Sequence, residues 1–146
     1  MLIEFFKYIS NPVSKTAKQL GHLHEIIGME ARSKRLEKQW SSPCQNTKNI
    51  IEKSSREIAE PNEVIVLGSG LLLDVPIEFL AQYFKHVYLV DVVHLNNVRK
   101  IIKKFSNVEM IEHDVTGFSE KLEEITATEI HFKASIPCLS SNTSLV

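Results

Sequence analysis

The spacing of apolar residues changes once along this chain, near residue 62. Before that point it is helical. Leu2, Ile3, Phe5, Phe6 and Ile9 predict a helix over 2–9, and Asn11-Pro12 stops it. Leu20, Leu23, Ile26 and Ile27 make one stripe, predicting a helix from Ser14 to about Gln39 with a point of interruption at Gly28. Glu30 to Lys38 is charged and reads as exposed. Trp40-Ser41-Ser42-Pro43 reads as a boundary. Asn46 is then the N-cap of a helix through Ala59, with Ile50, Ile51 and Ile58 facing inward. Glu60-Pro61-Asn62 turns the chain.

From Glu63 the apolar runs become short and β-branched. Strands are predicted at 63–67, 86–90 and 108–112, with helices at 72–84 and 95–104 between them. Val98, Ile101, Ile102 and Phe105 form the inner side of the second helix. A short helix at 118–125 and a fourth strand at 128–136 complete the pattern, and the Ser/Thr/Asn-rich tail 137–146 reads as frayed. Strands alternating with helices predict an α/β fold, a parallel sheet flanked by helices. The expected organisation is an N-terminal helical segment, 1–60, and a sheet core of about four strands, 61–146.

Composition narrows the class. With 146 residues, 43% apolar and 24% charged, the chain suits one globular domain. The net charge of −1 hides a split: residues 1–60 carry ten Lys/Arg against seven Asp/Glu, and 61–146 carry seven against eleven. That asymmetry is mild. Arg99-Lys100 with Lys103-Lys104 reads as the wet face of a helix, so a nucleic-acid partner is not supported. Cys44 and Cys138 lie far apart, and His22 and His24 point different ways on a helix, so neither a disulfide framework nor a metal site is expected. No apolar run is long enough to span a membrane, and the expected location is the cytoplasm.

The candidate chemistry lies between Glu63 and Asp114. Val64–Leu67 runs directly into Gly68-Ser69-Gly70, where the missing side chains permit a tight turn and close approach of a ligand. Asp91 ends the second strand, 21 positions after Gly70. An ionised carboxylate there can accept hydrogen bonds from two ribose hydroxyls. Asp114 ends the third strand, where it can accept from an adenine amino group or close an Asx turn before Thr116-Gly117. All three positions fall at carboxyl ends of strands, where sheets of this type bind ligands. His94 and His113 lie nearby and read as partly exposed strand-end histidines. Trp40, the single tryptophan, reads as core or a helix staple.

Val64 to Gly70, Val87 to Asp91 and Val108 to Asp114 together resemble the first three motif regions of class I S-adenosylmethionine-dependent methyltransferases, which have a Rossmann-like fold. The resemblance covers about residues 45–117. It implies S-adenosyl-L-methionine as cofactor, with Gly68, Ser69 and Gly70 against the methionine part. It further implies Asp91 and Val92 at the ribose, Asp114 and Val115 beside the adenine, and methyl transfer to an unknown acceptor. Leu67 stands where that family usually has an acid, and Leu72 where a third glycine is often found. Asp74 is a candidate for the methionine ammonium. The catalytic residue stays unknown, because displacement at an activated methyl group depends mainly on alignment. Two other readings stay open. One is a nicotinamide dinucleotide binder, against which Leu72 would crowd the pyrophosphate. The other is a noncatalytic remnant or partner-binding protein that forms a homodimer or takes a completing chain at an open sheet edge.

Overall fold

A computed structural model describes residues 2–13, 17–18, 21–115 and 143–145. Helices α1 (Leu2–Ser10), α2 (His22–Arg35) and α3 (Glu37–Arg56) come first. Then follow β1 (Glu63–Leu67), α4 (Ile77–Tyr83), β2 (His86–Asp91), α5 (Asn96–Ile102), β3 (Val108–Glu112) and β4 (Thr143–Leu145). The strands form one parallel sheet in the order β3-β2-β1-β4. The chain steps outward from β1 to β3, and β4 then lies on the other side of β1. That reversal is the doubly wound pattern, and it places a crevice at the carboxyl end of β1. The fold is therefore an α/β parallel sheet flanked by helices, as the sequence pattern predicts.

One face of the sheet carries the larger core. Val64 and Val66 of β1 and Val87 and Leu89 of β2 are buried with Leu80 of α4 and with Val98 and Ile102 of α5. Ile51 of α3 and Ile58 pack on the same cluster. A second cluster joins the N-terminal segment to the sheet: Leu23, Ile26 and Ile27 of α2 bury Val93 and Leu95, with Val92 and Leu71 at its edge. Burying a leucine- or valine-sized side chain is worth about 1.5–3 kcal/mol. The α2 stripe thus fastens that helix over the carboxyl ends of β1 and β2. Polar contacts fix its partner α1. Asn11 is buried; its Oδ1 accepts from the Asn96 backbone N–H at 2.7 Å, and its Nδ2 donates to the Lys7 carbonyl at 2.6 Å. A side chain 85 residues away thereby satisfies the first free N–H of α5. Glu30, also buried, is paired with Lys7 of α1 and, at 2.9 Å, with Lys34.

Several boundaries differ from expectation. Trp40–Pro43 is no boundary: α3 runs through Pro43 for 20 residues, and Asn46 lies inside it. Pro43 and Gln39 are both exposed, so water can satisfy the Gln39 carbonyl that Pro43 has no N–H to meet. The interruption falls at Leu36 rather than Gly28, which is inside α2. Ile50 is 65% exposed instead of inward-facing. Arg99 is not part of a wet face; its Nε donates to the His94 carbonyl at 3.1 Å, and its guanidinium pairs with Glu112. The tail expected to fray contributes β4, which pairs with Glu63–Ile65 along the open side of β1. The expected helix at 118–125 and strand at 128–136 lie outside the described residues.

The helix after β1 starts at Ile77, not at Leu72. Leu72 has φ 59°, a left-handed conformation that cannot begin a right-handed helix, and Val75 precedes a proline, which disfavours helical backbone. Leu72 is nonetheless 7% exposed and packed in the main core. Its burial offsets the roughly 1–2 kcal/mol that a left-handed conformation costs a side-chain-bearing residue. This gives an inverted expectation at one site. Leu72→Ala should lose about 2–5 kcal/mol. Leu72→Gly should be no less stable than Leu72→Ala, although glycine ordinarily trails alanine by about 0.5–1 kcal/mol. Urea denaturation of the two variants checks the order; a clearly less stable glycine variant would contradict the account.

Candidate functional site

The glycine turn is built from three left-handed positions in five residues: Gly68 at φ 71°, Gly70 at φ 49° and Leu72. The first two are the residues that adopt this backbone without strain. The turn is closed by its own hydrogen bonds. Gly68 N–H donates to the Val90 carbonyl at 2.8 Å, and Ser69 N–H lies 3.4 Å from the same oxygen. Leu72 N–H donates to the Ser69 carbonyl at 3.0 Å. Gly70 N–H donates to Asp91 Oδ2 at 2.6 Å.

That last bond brings the predicted turn and the predicted acid together. Asp91 Oδ1 in turn accepts from the Val92 N–H at 2.7 Å. Each carboxylate oxygen can accept about two hydrogen bonds, so among the described residues each keeps a free acceptor site. Asp91 is half-buried, and Gly68 borders open space, since a Cβ there would meet nothing within 4 Å. The backbone continues the arrangement: His113 N–H donates to the Asp91 carbonyl at 2.8 Å, which fixes Asp114 just beyond β3. Neighbouring strands lie about 4.8 Å apart, so the turn, Asp91 and Asp114 mark a row of roughly 10 Å across β1, β2 and β3. Asp114 and Val115 are half-buried. Val92 is half-buried beside the α2 cluster. Asp74 is exposed on the loop before α4.

Ser69 is 2% exposed, and its Oγ has no partner among the described residues. A buried hydroxyl in that state is costly, and it sits within the glycine turn. His94 is a correction. Instead of being partly exposed it is fully buried, between Val93 and Leu95, which face α2. With its proton on Nε2 the ring donates to the Ile111 carbonyl at 3.3 Å, and Nδ1 is left as a buried acceptor without a partner among the described residues. Such a ring braces the loop after β2 and is inaccessible as a base.

A cleft of about 470 Å³ lies between the α2–α3 elbow and the loop after Gly70. Trp40, Ser41 and Cys44 line it from α3, Leu71 and Leu73 from the loop after β1, and Asn97 from α5. Trp40 is half-buried there and belongs to neither apolar cluster, contrary to its expected core role. Leu71, Leu73 and Asn97 escaped sequence reasoning. Their signal was only their closeness to the glycine turn and to the second βα loop. A larger cleft, about 590 Å³, lies between α1 and α2 around Lys7, Glu30 and Arg35, away from the strand ends.

Comparison with protein-family models, with curated proteins and with solved structures finds no match. The site therefore rests on its own geometry. That geometry defines a parallel α/β protein with a glycine turn and a carboxylate joined at the carboxyl ends of adjacent strands.

Burial pushes the His94 pKa down from its ordinary value near 6.5; its bond to Ile111 and the carboxylates of Asp91 and Glu112 oppose this, while Arg99 adds to it. The neutral ring is thus favoured in the folded state. The unfolded chain binds the extra proton more readily, so stability is full above pH 6.5 and is lost as pH falls below it. Glu30 gives a later loss. Burial opposes its ionisation, but hydrogen bonds from Lys7 and Lys34 outweigh this and hold its pKa below 4.5, so its contribution fades as pH drops through that lower range. Thermal unfolding of the wild type and of His94→Gln across pH 7.5 to 5 should diverge from about pH 6.5 downward, the wild type falling more steeply. Parallel profiles would rule out a buried neutral His94.

Proposed function

We propose that this chain binds S-adenosyl-L-methionine across the carboxyl ends of β1, β2 and β3 and transfers its methyl group to an acceptor. The observation that carries the reading is the 2.6 Å bond from Gly70 N–H to Asp91, which puts a ligand-accessible glycine turn and a carboxylate with spare acceptor sites in one place. In this assignment Asp91 accepts from the ribose hydroxyls, with Val92 alongside. Gly68, Ser69 and Gly70 pass beneath the methionine part, and Asp114 with Val115 borders the adenine. The cofactor supplies an activated methyl group. The protein's share of the work is then to hold donor and acceptor in line. The cytoplasm is the compartment proposed, where Cys44, a free thiol, stays reduced.

A nicotinamide dinucleotide is the poorer fit, for a reason different from the one the sequence suggests. Leu72 does not crowd a pyrophosphate, since its side chain is in the core. The obstacle is the donor supply. Pyrophosphate needs free backbone N–H groups at a helix N-terminus. Here the N–H groups of Gly68, Ser69, Gly70 and Leu72 are all used within the protein. Helix α4 starts only at Ile77, whose own N–H donates to Val75. A nucleoside without phosphate avoids each of these penalties.

Calorimetry with S-adenosyl-L-methionine, S-adenosylhomocysteine and NAD decides between them: the two sulfur nucleosides should bind, and NAD should not. Asp91→Ala should weaken S-adenosylhomocysteine binding by about 1–3 kcal/mol, the range for leaving a buried hydrogen-bonding group without its partner. Unchanged affinity in a variant that still melts cooperatively would remove the ribose role of Asp91.

A further inference from the structure

The cleft beside the glycine turn holds features that the cofactor reading does not use. Its aromatic wall is the chain's one tryptophan, half-buried but outside both cores. A large ring placed against an open cleft offers a stacking surface rather than a packing contact. Leu71 and Leu73 provide an aliphatic surface on the other side. Two polar groups at the cleft are unspent: neither the Trp40 indole N–H nor the Asn97 side-chain amide hydrogen-bonds to a described residue. Ser41 Oγ donates to the Lys38 carbonyl at 3.1 Å and keeps its acceptor capacity.

The charges around the cleft cancel. Lys34 is paired with Glu30 at 2.9 Å, which leaves Glu37 and Lys48 as one acid and one base on the lining. A net charge on the ligand would find no matching excess. The volume of about 470 Å³ is within the usual range for small-molecule sites, roughly 300–1,000 Å³.

From these observations we propose that the cleft between α3 and the 71–73 loop binds a small, uncharged, planar aromatic molecule. The ring lies between the Trp40 indole and the two leucines. A hydrogen-bond acceptor on its edge meets the indole N–H or the Asn97 amide. This binding claim goes beyond the methyl-donor reading and does not depend on it.

The single tryptophan makes the test direct, because a ¹⁵N-labelled sample has one indole N–H resonance. Titration with 6-hydroxyquinoline, a neutral planar ring with a ring nitrogen and a hydroxyl, should move that resonance saturably, with half-saturation below about 1 mM. Cyclohexanol, which has a hydroxyl but no planar ring, should leave it in place. Ser41→Arg puts a long side chain at the cleft from an exposed helix position where folding is not at stake, and should weaken 6-hydroxyquinoline binding by about tenfold or more. Three outcomes overturn the proposal: an unmoved indole resonance, an equal response to cyclohexanol, or unchanged binding in Ser41→Arg. Adding S-adenosylhomocysteine in a parallel titration keeps the two ideas apart, since either ligand can bind when the other does not.

Discussion

The site depends on one hydrogen bond, from the Gly70 backbone to the Asp91 carboxylate. It joins two loops 21 residues apart and ties the end of β1 to the end of β2 above the last ladder contact. A carboxylate–amide bond of this kind is stronger than a neutral one and is directional. It orients Asp91 toward the turn instead of toward water. It also uses one of the N–H groups that a phosphate would need. One contact thus fixes the turn's shape and restricts its chemistry.

Much of the sheet could be read in the sequence, because burial on both faces makes parallel strands into short apolar runs. Val64–Leu67 and Val87–Val90 stand out for that reason, while Val108–Ile111, interrupted by the exposed Glu109, is legible from its place in the alternation with the helices. The pairing of Gly70 with Asp91 was legible as a spacing. What was hidden depended on tertiary surroundings. Pro43 looks like a helix stop, but it sits on an exposed face of α3 where solvent can take over the lost bond. His94 looks like a polar residue at a strand end, yet the α2 stripe covers its neighbours and it is buried with them. Asn11 looks like a simple breaker, while its second role as a cap for α5 requires an interaction across 85 residues.

Leu72 shows how a departure from a motif can be absorbed. The backbone there keeps the left-handed geometry that suits glycine, and the side chain is accommodated by turning inward to the core. The turn's shape is preserved, and the cost is moved into packing. Read as a letter in a motif, Leu72 counts against a nucleotide site. Read in place, it leaves the ligand side of the turn as open as glycine would, because its bulk lies beneath the loop. A substitution in a glycine motif is therefore judged by where the side chain goes.

The N-terminal helices determine what can reach this site. The boundary near Pro61 separates two sequence patterns, but the second apolar cluster crosses it: α2 supplies Leu23, Ile26 and Ile27, and the loop after β2 supplies Val93 and Leu95. Removing the helices would expose those residues and unseat His94. It would also remove Trp40 and Cys44 from the wall of the cleft next to Leu71 and Leu73. The sheet alone provides the glycine turn, Asp91 and Asp114 at adjacent strand ends. The helices add an indole and a mixed polar wall to the open cleft beside that turn. Any molecule held in that cleft would meet residues that the glycine motif does not include.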